Sequence, residues 1–143
     1  GYFKKRGRAK QRTAMMGAGS PFATKMLDVM CHAAKADGDI DASEIDLIVA
    51  VSGQLNSTAF ERDTVVRILD LAEANPSDAD FKAFGKGLSP DEHLQLSEAA
   101  LRVVAADGKL DGAEQQFMGK LAAGLKVPGN AVQNAFDKLT GKA

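Results

Sequence analysis

The chain has 143 residues, of which 45% are hydrophobic and 26% are charged, which is typical of one globular domain with its own core. A single cysteine excludes an internal disulfide, and no apolar run reaches the roughly eighteen residues that a membrane-spanning helix needs. The net charge is −1, and the single cysteine favours a reducing, intracellular compartment, so we expect a cytoplasmic protein, with attachment to a membrane surface as an alternative.

Basic residues are concentrated at the start of the chain. Seven of the 18 lysines and arginines precede the first acidic residue, Asp28, and the remaining 11 stand against 19 acidic residues. Residues 1–20 also lack an apolar period, which predicts a basic, flexible arm ahead of a helical domain over residues 21–143. We favour a solvated tail. The alternatives are an arm that contacts an anionic membrane surface, or the flank of a membrane helix, whereas binding to nucleic acid is not expected.

Helix start signals mark the first two helices of the domain. Ser20 and Pro21 predict an N-cap followed by proline at the first helical position, opening a helix that should run to Ala36. Asp41 and Glu44 have the spacing of a D-x-x-E capping box, which predicts the start of a second helix.

Similar signals divide the middle of the chain. Thr58 and Glu61 predict another capping box and a third helix, which Asn75 and Pro76 should end. A short helix is expected over residues 78–84, because glycines follow it at once.

The clearest helix start is the segment S-P-D-E, in which Ser89 is the predicted N-cap and Glu92 its partner three residues later. This helix should run to Ala106, and apolar residues on both of its flanks predict the central, most buried helix. Two further helical segments follow it. With about seven helices and no convincing strand, the predicted fold class is all-α.

An acidic motif occurs twice in register. Residues 36–44 read A-D-G-D-I-D-A-S-E and residues 106–114 read A-D-G-K-L-D-G-A-E, so each copy is Asp-Gly-x-aliphatic-Asp-x-x-Glu. Helical patterns flank both copies. A repeated unit of helix, turn and helix predicts a compact bundle with two pseudo-symmetric helical-hairpin halves.

The carboxylates of this motif are candidate metal ligands. The motif matches the second half of an EF-hand loop, but the first-half ligand positions hold Ala, Lys and Val, so neither copy is an ordinary EF-hand. Calcium takes about six to eight oxygen ligands, so waters, backbone carbonyls or the other turn would have to complete a site. The seven candidate ligands are Asp37, Asp39, Asp41, Glu44, Asp107, Asp111 and Glu114.

Helix capping is the competing interpretation of the same motif. Asp and Glu at the N-cap and three residues later satisfy backbone N–H groups, and Asp-Gly suits a turn. Capping explains Asp37 and Asp107 less well, because each follows a helix C-terminus, where the macrodipole disfavours negative charge. These two positions therefore favour a bound cation.

The segment A-K-A-D-G-x-I-D-x-x-E, followed later by L-S-P-D-E and A-A-D-G-x-L-D-x-x-E, resembles the bacterial tellurite-resistance TerB-like family. The resemblance covers residues 22–139. It implies a compact bundle of about seven helices in two pseudo-symmetric halves, a stress-response role, and a divalent metal such as calcium held by the acidic residues.

The leading hypothesis is a non-enzymatic TerB-like module that binds a divalent cation, a protein partner or both through the repeated acidic turn, with the inner face of the membrane as a location to test. One alternative is a metal-dependent, hydrolase-like enzyme that uses the same carboxylates. Another is a purely structural interaction domain. His32 and His93 lack the spacing of a catalytic triad or a metal site, and no other catalytic set is evident.

Overall fold

The computed structural model describes residues 21–36, 38, 40–55, 60–106 and 108–141. These residues form seven α-helices and no strand, which confirms the all-α class. Within them, every helix falls short of the length and apolarity that a membrane crossing requires. The helices are α1 (Pro21–Ala36), α2 (Ala42–Leu55), α3 (Arg62–Leu71), α4 (Asp78–Phe84), α5 (Pro90–Val104), α6 (Gly112–Leu125) and α7 (Gly129–Leu139).

Helices α1 and α5 form the central pair of the bundle. The hairpin of α1 and α2 packs beside the hairpin of α5 and α6, while α3 covers α1 and α2, α4 lies against α6, and α7 packs on α5. Each motif thus joins the two helices of one hairpin. Buried apolar side chains from both hairpins fill the space between them, including Met30 of α1 and Leu101 of α5.

The prediction that α5 is the most buried helix is wrong, because α1 has nine buried residues and α5 has seven. Helix α1 contacts both the first-half helices α2 and α3 and the second-half helices α5 and α6. Much of its buried surface comes from small side chains such as Cys31, Ala33 and Ala34, which carry a weak hydrophobic signal in the sequence.

The helix start at Ser89 is confirmed in detail. The Ser89 hydroxyl oxygen accepts the backbone N–H of Glu92 at 3.2 Å, and the Glu92 carboxylate accepts the backbone N–H of Ser89 at 3.0 Å. Helix α4 spans the predicted residues 78–84 and begins with the same type of box. Helix α1 begins at Pro21 as predicted, whereas Ser20 lies outside the described residues.

The predicted start of the third helix is wrong. Helix α3 begins at Arg62, and its N-cap is Glu61, whose side chain makes no capping hydrogen bond. Thr58 lies outside the described residues. Phe60 is buried while its backbone is still non-helical, so its anchoring in the core accounts for a helix that begins after it. Arg62 then contacts Asp46 of α2 at 3.1 Å.

Candidate functional site

The first acidic turn connects α1 to α2. Gly38 has φ = 90°, a left-handed conformation that glycine adopts without steric cost, and its N–H donates to the carbonyl oxygen of Lys35 at 3.0 Å. The chain then re-enters a helix, where the Asp41 carboxylate accepts the backbone N–H of Glu44 at 2.9 Å. The predicted cap at Asp41 is confirmed.

The second acidic turn repeats this geometry between α5 and α6. Gly108 has φ = 82°, and its N–H donates to the carbonyl oxygen of Ala105 at 2.9 Å. The Asp111 carboxylate accepts the backbone N–H of Glu114 at 2.8 Å, and the Glu114 carboxylate accepts that of Asp111 at 3.1 Å. The repeated sequence therefore forms a repeated turn, with a complete capping box in the second copy.

One difference between the two turns affects the cap, because Ser43 of the first corresponds to Ala113 of the second. The Ser43 hydroxyl donates to Asp41 Oδ1 at 2.6 Å. This hydrogen bond, followed by that from the Glu44 backbone N–H, lowers the pKa of the Asp41 carboxyl below its usual 3.8. Because the folded state has the lower pKa, the cap stabilises the protein above the unfolded-state pKa and loses this contribution as the pH falls through the folded-state pKa.

Replacing Ser43 by alanine should raise the pKa of the Asp41 carboxyl, because it removes the largest cause of the lowering. The carboxyl carbon chemical shift of Asp41, followed by NMR between pH 2 and pH 6, measures this directly. Thr24→Ala is the control, since the Thr24 hydroxyl donates to the carbonyl of Pro21 in α1. An Asp41 pKa that is the same in Ser43→Ala and in the wild type would contradict the assignment.

The structure places four of the seven candidate ligands. Asp41 and Asp111 are exposed, and Glu44 and Glu114 are half-buried. Asp37, Asp39 and Asp107 lie outside the described residues. Among the described residues, no group of three or more His, Cys, Asp or Glu side chains is arranged to hold a metal ion. Each turn thus contributes a pair of described carboxylates that its own cap brings together.

The two motifs approach each other at one end of the bundle. Ala36, the first residue of the first motif, and Ala113 of the second motif line the same small cleft of about 60 Å³. Phe81 and Phe117 also line the cleft. The ring centroids of these two phenylalanines are 5.3 Å apart, so packed aromatic side chains hold this region together.

The remaining single candidates have structural roles. His32 is buried, donates from Nδ1 to the carbonyl oxygen of Asp28 at 2.8 Å, and has its ring 4.9 Å from that of Phe84. His93 is half-buried and donates from Nε2 to the carbonyl oxygen of Gly85 at 2.7 Å. Cys31 is fully buried, as expected for a small core side chain.

A second, larger cleft lies among α4, α5 and α6, and sequence reasoning missed it. Its described lining includes Lys82, Lys86 and Lys126. The first two are close in sequence, but the third lies 40 residues further along the chain, and lysines on the surface of a helical protein are ordinary. The sequence therefore contained no pattern that distinguished these lysines from solvated ones.

The fold and the turns together define a class: a helical module built from two hairpins, each with a capped acidic turn. A family model described as tellurite resistance protein TerB matches residues 23–137. The chain belongs to the TerB family, as the motifs predicted. Searches of curated proteins and of solved structures found no significant match.

Proposed function

We propose that this protein is a non-enzymatic TerB-family module whose two acidic turns bind a divalent cation and present it to a protein partner. The observation that carries the proposal is that both motifs have the same turn geometry and that one alanine of each, Ala36 and Ala113, lines the same small cleft. The carboxylates of both turns are therefore candidates for a single site.

The donor atoms fit a hard divalent cation. Carboxylate oxygens are the preferred ligands of calcium and magnesium. An ionised carboxylate has about four lone-pair positions, and the cap at Asp111 uses one of them, so capping and metal binding are compatible. The two described carboxylates of one turn fall short of the roughly six to eight oxygens around calcium. The proposed site therefore also requires Asp37 and Asp39, or Asp107, with water completing the shell.

The size of the cleft favours binding over catalysis. Sites for small-molecule substrates usually have volumes of about 300–1,000 Å³, whereas the cleft between the motifs measures about 60 Å³. A hydrolase-like enzyme would need space for a substrate beside an open coordination position. The described lining of this cleft contains no carboxylate, so the proposed ion lies on the exposed turns beside it, where a partner protein can share it.

The proposed location is the cytoplasm, with attachment to the inner face of the membrane. Seven basic residues precede Asp28, and clustered lysines and arginines are attracted to anionic lipid by about 1 kcal/mol each near the surface. The family description concerns tellurite resistance, so we propose a role in that type of stress response.

The proposal is tested by thermal melting of metal-free protein with calcium, magnesium, manganese or zinc. A cation that binds only the folded state should stabilise it by about 2.7 kcal/mol at a hundredfold excess over its dissociation constant. Asp37→Asn and Asp107→Asn should lose most of this gain, while their metal-free stability stays the same or rises because carboxylate repulsion is reduced.

Asp91→Asn is the matched control, since it removes an exposed carboxylate from the first turn of α5, at the opposite end of that helix from the second motif. It should keep the full ion-dependent gain. If none of the four ions at millimolar concentration shifts the wild-type melting temperature, the turns serve only as caps and the cation proposal fails.

A further inference from the structure

The basic cleft among α4, α5 and α6 has the size of a ligand site. Its volume is about 490 Å³, inside the range of about 300–1,000 Å³ usual for small-molecule pockets. None of its described lining residues belongs to either acidic motif. The cleft is therefore separate from the surface proposed to bind the cation.

Close packing between α4 and α6 creates the cleft. A Cβ at Gly124 of α6 would lie 2.8 Å from the carbonyl carbon of Phe81 in α4, so glycine allows this approach. His93 of α5 donates to the carbonyl oxygen of Gly85, and Lys25 of α1 donates to that of Ala83 at 3.0 Å. Contacts from α1, α5 and α6 thus hold α4 and the residue that follows it beside the cleft.

The described lining is positively charged. It includes the ammonium groups of Lys82, Lys86 and Lys126 and no carboxylate. Burial lowers the pKa of nearby Lys25, Asp28 opposes this effect, and the charge of Lys86 adds to the lowering. The charge of Lys86 therefore reaches Lys25, which lies beside the cleft and outside its described lining.

Compensation of helix dipoles explains only part of this charge. Helix α4 ends at Phe84 and helix α6 ends at Leu125, so both present C-terminal carbonyls in this region. Each C-terminus carries about half a negative charge. Two termini together thus offset about one of the three lysines that line the cleft, and a net positive charge remains.

Lys126 is held in an unfavourable backbone conformation. It has φ = 58°, and among the described residues it is the one non-glycine residue with positive φ. Glycine or asparagine usually occupies this position after a helix, because a larger side chain is strained there. This conformation caps the end of α6, where the Lys126 N–H donates to the carbonyl oxygen of Ala123 at 3.3 Å, and strain of this kind is also found at functional sites.

We propose that this cleft binds a small phosphorylated molecule. Lysine ammonium groups are established partners of phosphate and supply three donors each. The surface between the lysines consists of Ala79, Ala83, Ala123 and glycine, which suits the uncharged portion of such a ligand. The phosphate would lie between Lys82 and Lys86 on one wall and Lys126 on the other.

The test is calorimetric titration of the full chain with inorganic pyrophosphate, adenosine monophosphate and citrate at constant ionic strength. EDTA is present, so that phosphate cannot bind through a divalent cation at the acidic turns. Saturable binding of pyrophosphate or the mononucleotide is expected. The double variant Lys82→Gln, Lys86→Gln should weaken it by about tenfold or more, because it removes two charged hydrogen-bond donors.

Two further variants separate the site from general charge and from folding. Lys120→Gln also removes a lysine charge, on α6, but lies at the other cleft, so it should leave the affinity unchanged. Lys126→Gly should weaken binding and raise the melting temperature together, because it removes a donor and relieves the left-handed strain. Absent binding, equal loss in Lys120→Gln, or citrate binding as tightly as pyrophosphate would overturn the proposal.

Discussion

Replacing Phe81 by alanine should lower the free energy of unfolding by about 3–5 kcal/mol, as expected for a large aromatic side chain removed from a core. Phe81 is 2% exposed. Its ring centroid lies 5.8 Å from that of Phe84 and 5.3 Å from that of Phe117, both at edge-to-face angles. The variant loses transfer free energy, aromatic contacts and the volume that the ring fills.

The loss of stability caused by Phe81→Ala should be greatest in α4. This helix has seven residues, and an isolated helix of that length is not stable in water. It is held by the side chains that it buries, which are Phe81 and Phe84. The total stability of a domain is about 5–15 kcal/mol, so Phe81→Ala should leave a marginally stable protein in which amide hydrogens of α4 exchange faster than those of α5.

Urea unfolding followed by circular dichroism, together with native-state hydrogen exchange, measures both effects. Phe22→Ala is the control, because Phe22 is only half-buried at the edge of the core. Phe22→Ala should lower the free energy of unfolding clearly less than Phe81→Ala does. Similar losses for the two variants, or uniform exchange across α4 and α5, would show that Phe81 does not hold α4 in place.

The sequence predicted best what local interactions determine. The capping box at Ser89 and Glu92 depends on residues three apart, so its pattern can be recognised without the rest of the fold. The same is true of the caps at Asp41 and Asp111 and of the glycines that follow α1 and α5. Because the repeated motif contains these signals twice, it also predicted the repeated turns.

Predictions from the sequence were wrong where tertiary packing overrides the local pattern. The spacing of Thr58 and Glu61 predicted a helix that starts directly after Thr58. The helix instead begins at Arg62, after the buried and non-helical Phe60. The core position of α1 follows from which helices pack around it, and α1 contains many small side chains that give a weak signal. Such long-range effects need the assembled core.

The basic cleft was missed for a related reason. Lys82 and Lys126 become neighbours only because Gly124 allows α4 to approach α6. The left-handed backbone at Lys126 is also a property of the folded chain, since a lysine before Val-Pro-Gly does not indicate it in the sequence. For the cation site, the sequence supplied the candidate residues, and Asp37, Asp39 and Asp107 remain a prediction.

Alanine substitutions at two glycines of α6 should change the free energy of unfolding in opposite directions. Gly119 is exposed, and an added Cβ would meet nothing within 4 Å. Gly119→Ala should therefore stabilise the protein by about 0.5–1 kcal/mol, because alanine loses less conformational entropy in a helix. The backbone of Gly124 is also helical, so the same gain applies there before packing is considered.

At Gly124 the cost of packing exceeds this gain. A Cβ would lie 2.8 Å from both the carbonyl carbon and the Cβ of Phe81, and 2.9 Å from its carbonyl oxygen. Backbone atoms cannot rotate away as the end of a side chain can, so α4 and α6 must separate. Overpacking costs about 1–3 kcal/mol, sometimes more, and Gly124→Ala should thus be destabilising by roughly that amount less the helical gain.

Thermal and urea unfolding of the two single variants and of the double variant measure this difference. Gly119→Ala should raise the melting temperature and Gly124→Ala should lower it. The double variant should show the sum, because Gly119 has no contact that α4 would lose. If Gly124→Ala were as stable as Gly119→Ala, the close approach of α4 and α6 would be wrong. The wall of the basic cleft would then lie elsewhere, because the same contact sets the distance between Lys82 and Lys126.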